Sequence, residues 1–199
     1  LGMNVECAIT YGSSPIGRKV GPALEVREAL KVLESMEGPN SLIEKSAALA
    51  GILLEMGGAA PRDRGKEVAL ETLRNGKALE KMKQIIEAQG GDPKITSNDI
   101  QVGQYTADIL ASADGYVVEL DNKWIIEIAR LAGAPNDKGA GVAIHKKMGE
   151  QVKKGDPILT IYAEKQFKLE TALTTAQRTK PIIVEGMLLK RIPGIYGFQ

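Results

Sequence analysis

Near its middle this sequence changes period, and that change limits the available folds more than any other feature. Up to Ala88 the apolar residues recur at helical spacing. Gly90-Gly91-Asp92-Pro93 breaks the pattern, and from Gly115 onward short apolar runs alternate with glycine-rich turns. The reading is a helical first part, roughly 1–95, joined to an α+β second part, roughly 96–199. In the first part Pro22 stands where a helix begins, ahead of Val26, Ala29, Leu30 and Leu33. Ser41 with Glu44 has capping-box spacing and opens a second helix with Ile43, Ala47, Ala50 and Leu54 on one face. Two more helices are expected over 66–74 and 77–88, the last with Leu79, Met82, Ile85 and Ile86 as a core strip. The second part should carry strands at 115–120, 139–145, 157–162 and 182–189, with helices over 123–131 and 164–176.

Composition removes several function classes. The 199 residues carry 26 Lys and Arg against 25 Asp and Glu, a net charge of +1, which gives no electrostatic case for nucleic acid or an anionic membrane. No apolar run approaches the ~20 residues of a spanning helix. Cys7 is the single cysteine and His145 the single histidine, which excludes a disulfide scaffold, a thiolate zinc cage and a multi-histidine metal site. A cytoplasmic setting is expected. Leu1 to Thr10 reads as a helix end running into a buried strand at Val5–Thr10, as in a chain continuing something longer.

From that strand, Thr10-Tyr11-Gly12-Ser13-Ser14-Pro15-Ile16-Gly17-Arg18-Lys19-Val20-Gly21-Pro22 leads into a helix. Such a junction offers unpaired amides to an anion, with Arg18 and Lys19 adding charge. Its spacing is neither a Walker loop nor a dinucleotide fingerprint, and glycines there can equally serve a tight turn. His145, between a strand and Lys146-Lys147, reads as a structural histidine because no carboxylate lies near it in sequence.

Gly12-Ser13-Ser14-Pro15-Ile16-Gly17-Arg18, followed by Gly21-Pro22-Ala23-Leu24-Glu25-Val26-Arg27-Glu28-Ala29, is similar to the thymidine and pyrimidine-nucleoside phosphorylase family. That family commonly shows Ser-Gln-Pro-Leu-Gly and then Gly-Asn-Ala-Leu-Glu-Val-x-Glu-Ala; here Ser14 replaces the Gln and Pro22 the Asn. The Gly-Arg-x-x-Gly-Pro-Ala-Leu-Glu form is closer to its archaeal branch, which acts on nucleotides. Asn136 to Gly149 resembles the family's C-terminal domain, so the likeness runs through the chain.

The resemblance implies the end of an α/β phosphorylase central domain, mostly helical here (1–95), then a C-terminal α+β domain of barrel-sandwich type (96–199). It implies a pentosyltransferase that splits AMP, with CMP and UMP as further candidates, into free base and ribose 1,5-bisphosphate. Thymidine or pyrimidine-nucleoside phosphorolysis is the alternative. Inorganic phosphate is then the co-substrate, no cofactor is required, and a homo-oligomer without nucleic-acid or membrane partners is expected. The family's catalytic, phosphate and base residues lie upstream of the equivalent of Val5–Thr10, so none is assigned here, and the 199-residue chain alone should be inactive. Ser13, Ser14 and Arg18 are the candidate cleft loop. Ile16 and Lys19, through backbone carbonyls, and Glu28 align with a monovalent-cation site, and oxygen donors suit such an ion.

Gly149 to Lys165 is also similar to half a lipoyl or biotinyl carrier domain, with Lys165 at the carrier position. The helical character of the residues after it favours the shared architecture without modification. A binding or assembly module remains the reading from another class.

Overall fold

The computed structural model describes residues 2–188. Proline fixes φ and surrenders an amide that a first helical turn leaves unpaired, and α1 (Pro22–Ser35) begins on Pro22. It is followed by α2 (Asn40–Met56), α3 (Gly65–Arg74) and α4 (Lys77–Ala88). The capping box expected at Ser41 does not form. Pro39 precedes α2, the Ser41 hydroxyl donates to Ile16 O at 2.8 Å, and Glu44 pairs with Lys66 at 2.8 Å. A capping box forms instead at Thr96 and Asp99, around a 3-10 turn (Ser97–Asp99). Ser97 hangs from α1 there, donating through its amide and hydroxyl to Glu34 at 2.8 and 2.6 Å.

The strands are β1 (Lys19–Val20), β2 (Tyr105–Leu110), β3 (Gly115–Leu120), β4 (Gly141–Ile144), β5 (Gln151–Val152), β6 (Pro157–Ala163) and β7 (Ile182–Glu185). They make two antiparallel sheets, ordered β1-β4-β6-β2 and β5-β3-β7. Two helices cover them. Asp121 caps α5 (Asn122–Ala132), its carboxylate accepting from the amides of Lys123 and Trp124 at 2.9 and 3.1 Å, a cap worth about 1 kcal/mol. Ile125, Ile128, Ala129 and Ala132 of α5 recur at helical spacing and are fully enclosed. They pack with Leu169, Ala172 and Ala176 of α6 (Gln166–Thr179) over Val142, Ile144, Leu159 and Ile161.

Val5–Thr10 is not a strand. Residues 3–11 carry no regular element and are exposed, because no strand lies beside them among the described residues and a lone strand has no ladder to satisfy it. The strip Leu79, Met82, Ile85 and Ile86 is likewise not enclosed: no residue of α4 is buried, and Ile85 faces out. The last expected strand, 182–189, is seen as β7 over Ile182–Glu185 only; residues 186–188 carry no strand, and Leu189 lies outside the described residues.

One glycine pair fixes how the first part meets the second. Gly21 has φ +132°, and a methyl there would strike the backbone of Ala140 and Gly141; Gly141, at φ +154°, would strike Val20 O in return. Only two bare Cα atoms let β1 cross onto β4, pairing Lys19 with Ala143 and Val20 with Val142.

Candidate functional site

Two amides of the glycine loop are taken by the chain's own carboxylates. Arg18 N donates to both oxygens of Glu28 at 3.1 Å, and Gly21 N donates to Glu25 at 3.0 Å. Both glutamates project from α1, one and two turns into it, so the helix start supplies the anions that its neighbouring amides attract. Burial pushes the Glu28 carboxyl above the usual range; the Arg18 amide and the charges of Lys19, Lys147 and Arg18 oppose that.

Long-range bonds then fasten the loop to the second part. The Arg18 guanidinium pairs with Glu150 and donates to His145 O at 2.5 Å. The partnership with Arg18, first of all, holds the Glu150 carboxyl below its usual value. Lys147 Nζ donates to Ile16 O at 2.6 Å and lies 3.2 Å from the Ser41 hydroxyl. Burial, and then Arg18, lower the Lys147 pKa, while Glu28 and Glu150 raise it. Loop, α1, α2 and the turn after β4 are thereby stitched at one point.

The candidate residues divide between two recesses. Ser14 lines the smaller with Tyr11, Ile16, Ser41, Lys45 and Lys147. Ser13, beside it, is exposed, and hydrogen bonding from both serines lowers the Tyr11 phenol pKa. Arg18, Lys19 and Glu28 line a wider cleft of about 720 Å³. Of the three expected cation ligands, the structure places Ile16 O against Lys147 and gives Glu28 to the Arg18 amide. An added cation on Ile16 O would share that oxygen with the Lys147 ammonium. Among the described residues no cluster of three His, Cys, Asp or Glu side chains could hold a metal ion.

His145 does have a carboxylate in reach. Thr160 donates to Asp108 at 2.5 Å, so its one hydroxyl proton is spent and His145 Nε2, 2.6 Å away, is the donor of the next bond. Nε2 therefore carries a proton, and the ring's pKa is lowered by burial first and by Lys19 and Arg18, against Asp108. Asp108 lies in β2, a strand the period reading passed over although Tyr105, Ala107 and Ile109 alternate inward. Glu150 and the Lys147 ammonium gave no local signal for this joint, since Arg18 and Ile16, which they hold there, are more than a hundred residues away in sequence.

Lys165 is exposed and sits as the residue before α6, at a strand–helix junction and not on a hairpin. β5 and β6 do not pair with each other; β5 runs beside β3, and β6 between β4 and β2. No helix among the described residues is long and apolar enough to cross a membrane.

Residues 116–182 match the family model of the pyrimidine nucleoside phosphorylase C-terminal domain. The whole chain is similar to AMP phosphorylases: 94% identical over 199 residues to that of Methanosarcina barkeri and 92% to that of Methanosarcina acetivorans. It is 57% identical over 195 residues to the AMP phosphorylase of Thermococcus kodakarensis. The chain spans 39% of the length of each of these relatives.

Proposed function

We infer that the chain is part of an AMP phosphorylase, the protein its most similar relatives are named for, and propose that it serves phosphorolysis of AMP. The reaction exchanges the base at C1′ of the nucleotide for phosphate: the C1′–N bond breaks, a phosphate oxygen bonds to C1′, and free adenine and ribose 1,5-bisphosphate leave. The centre passes through an oxocarbenium-like state, whose stabilisation is electrostatic and depends on fixed geometry. The proposed part of this chain is to set that geometry as a cleft wall and hinge.

The observation that carries the reading is the joint at residues 16–18. There the loop resembling the phosphorylase motif is fastened to α1 by Glu28 and to the turn after β4 by Lys147 and Glu150. We propose that Ser13, Ser14 and Arg18 border the cleft, and that the Lys147 ammonium on Ile16 O takes the part a monovalent cation would play. No cofactor then enters, and inorganic phosphate is the co-substrate. The two sheets that share a core with α5 and α6 support a barrel-sandwich domain over 96–199, with 1–95 as the end of an α/β domain and β1 and α1 as the seam. A homo-oligomer acting in the cytoplasm completes the proposal.

The test uses a protein carrying this chain at its relatives' full length. Phosphate-dependent release of adenine from AMP should exceed release of thymine from thymidine, and the 199-residue chain alone should release neither. Preference for thymidine would overturn the nucleotide reading in favour of the nucleoside one.

A further inference from the structure

The sheet ordered β1-β4-β6-β2 turns one face to the core, with Val142, Ile144, Leu159, Ile161, Ala107 and Ile109. On its other face the register aligns Lys19, Ala143, Thr160 and Asp108, one from each strand, edge to edge. Ala143 brings no polar side chain to this row, and His145 bridges the gap. It follows β4 by one residue, and its amide continues the ladder onto Ile158 O at 3.0 Å. Its ring reaches sideways to Thr160 at 2.6 Å, and Thr160 donates to Asp108 at 2.5 Å. Its carbonyl accepts from Arg18 Nη1 at 2.5 Å. A line of bonds through His145 therefore joins the outer strand β2 to the Arg18 guanidinium. The sheet by itself has no need of that line. Thr160 is buried in a strand whose other enclosed side chains are all apolar, and a valine of the same shape would suit β6 as well. Aspartate is among the residues least suited to a strand, yet Asp108 stands in the middle of β2.

We propose that Thr160 and Asp108 are positioning residues for the cleft: through the His145 ring they fix the end of β4, and with it the carbonyl on which Arg18 docks. This role rests on the reading that Arg18 borders the cleft, and it extends that reading to two residues that need touch no substrate. His145 is held at three points, by its amide and ring on β6 and by its carbonyl under Arg18. Without the ring anchor only main-chain bonds remain at the place where the strand ends, and Arg18 moves with whatever the turn after β4 does. A shift of about 1 Å in such a wall is enough to slow a reaction that depends on fixed geometry. Folding does not depend on the line. Asp108 is exposed and His145 only half-buried, so water can take the place of Thr160 at both.

Steady-state kinetics of a protein carrying this chain at its relatives' full length, assayed well below its melting temperature, test the proposal. Thr160→Val should lower kcat/KM for phosphate-dependent cleavage of AMP about tenfold or more, mainly through kcat. Thr160→Ser, which returns the hydroxyl without the methyl, should recover most of that loss. Asp108→Ala should lose less than Thr160→Val, because Thr160 still accepts from His145. Thr174→Val, the same change at an exposed position of α6, should leave the kinetics unchanged. A second readout needs no turnover. In the 199-residue chain His145 is the single histidine, so its ring signals are assigned without ambiguity by magnetic resonance. Thr160→Val should move them and carry the Arg18 guanidinium signals toward those of free arginine, while Thr160→Ser keeps both near the parent. If the parent cleaves AMP and Thr160→Val matches it, or Thr160→Ser recovers nothing, or Asp108→Ala costs nothing, the line positions nothing. A full-length parent that does not cleave AMP overturns the proposed function instead; Arg18 signals unmoved by Thr160→Val then overturn the line on their own.

Discussion

Lys147 sets a full positive charge against the Ile16 carbonyl, inside the field of Glu28 and Glu150. An ammonium there satisfies the Ile16 carbonyl and the Ser41 hydroxyl oxygen as a monovalent ion would, yet it is tethered and cannot be diluted away. Methionine in its place keeps the stem and removes the charge. Lys147→Met should lower stability by about 1–2 kcal/mol, the range for a charge-assisted hydrogen bond at a partly exposed site. It should also create a dependence on small cations: the parent melts at one temperature in potassium and in tetramethylammonium salts of equal strength, while the variant recovers part of its loss in potassium. A parent protein that potassium selectively stabilises would show that an ion sits at those donors. None of this was readable locally, because Ile16 and Lys147 are 131 residues apart and only the closed fold makes them neighbours.

Elements were more legible than contacts, since helical period is a property of ten or so adjacent residues. α3 and α4 coincide with their apolar spacing, and α1 with its proline. Val5–Thr10 failed because apolarity says that a segment wants burial and not what pairs with it. The α2–α3 contact makes a test at this scale. Gly51 and Gly65 face each other, and a methyl on Gly51 would meet the backbone of Gly65 and Lys66, which cannot rotate aside as a side chain could. Gly51→Ala gains about 1 kcal/mol of helix propensity but forces the helices apart, which typically costs about 1–3 kcal/mol. Packing wins here because the obstacle is main chain, so the denaturation midpoint should fall. Gly12→Ala, at an open position with no positive φ, should leave it unchanged.

At the scale of the molecule, buried area is unevenly spread, and local stability should follow it. The large buried cluster runs from Ala111 to Ile182 and joins both sheets with α5 and α6. Arg27 to Ile100, Glu34 to Ser97, Ala23 N to Lys138 O at 3.0 Å and the β1–β4 pairing tie α1 to that body. α2 buries only Ala47 and Gly51, and α4 buries nothing. An apolar groove walled by Val32, Leu33, Leu42, Ile43, Ala69 and Leu73 stays open among these helices. Amides of a helix without buried side chains exchange through local opening; those of β4, β6 and α5 must wait for loss of the shared core. Hydrogen exchange of this chain should therefore find α4 at least about a hundredfold less protected than Val142, Ile161 and Ala129, with α1 nearer the core than to α4. Equal protection of α4 and α5 would mean that the groove and the outer faces of α4 are covered in solution, and the order of stability argued from burial in a single chain would be wrong.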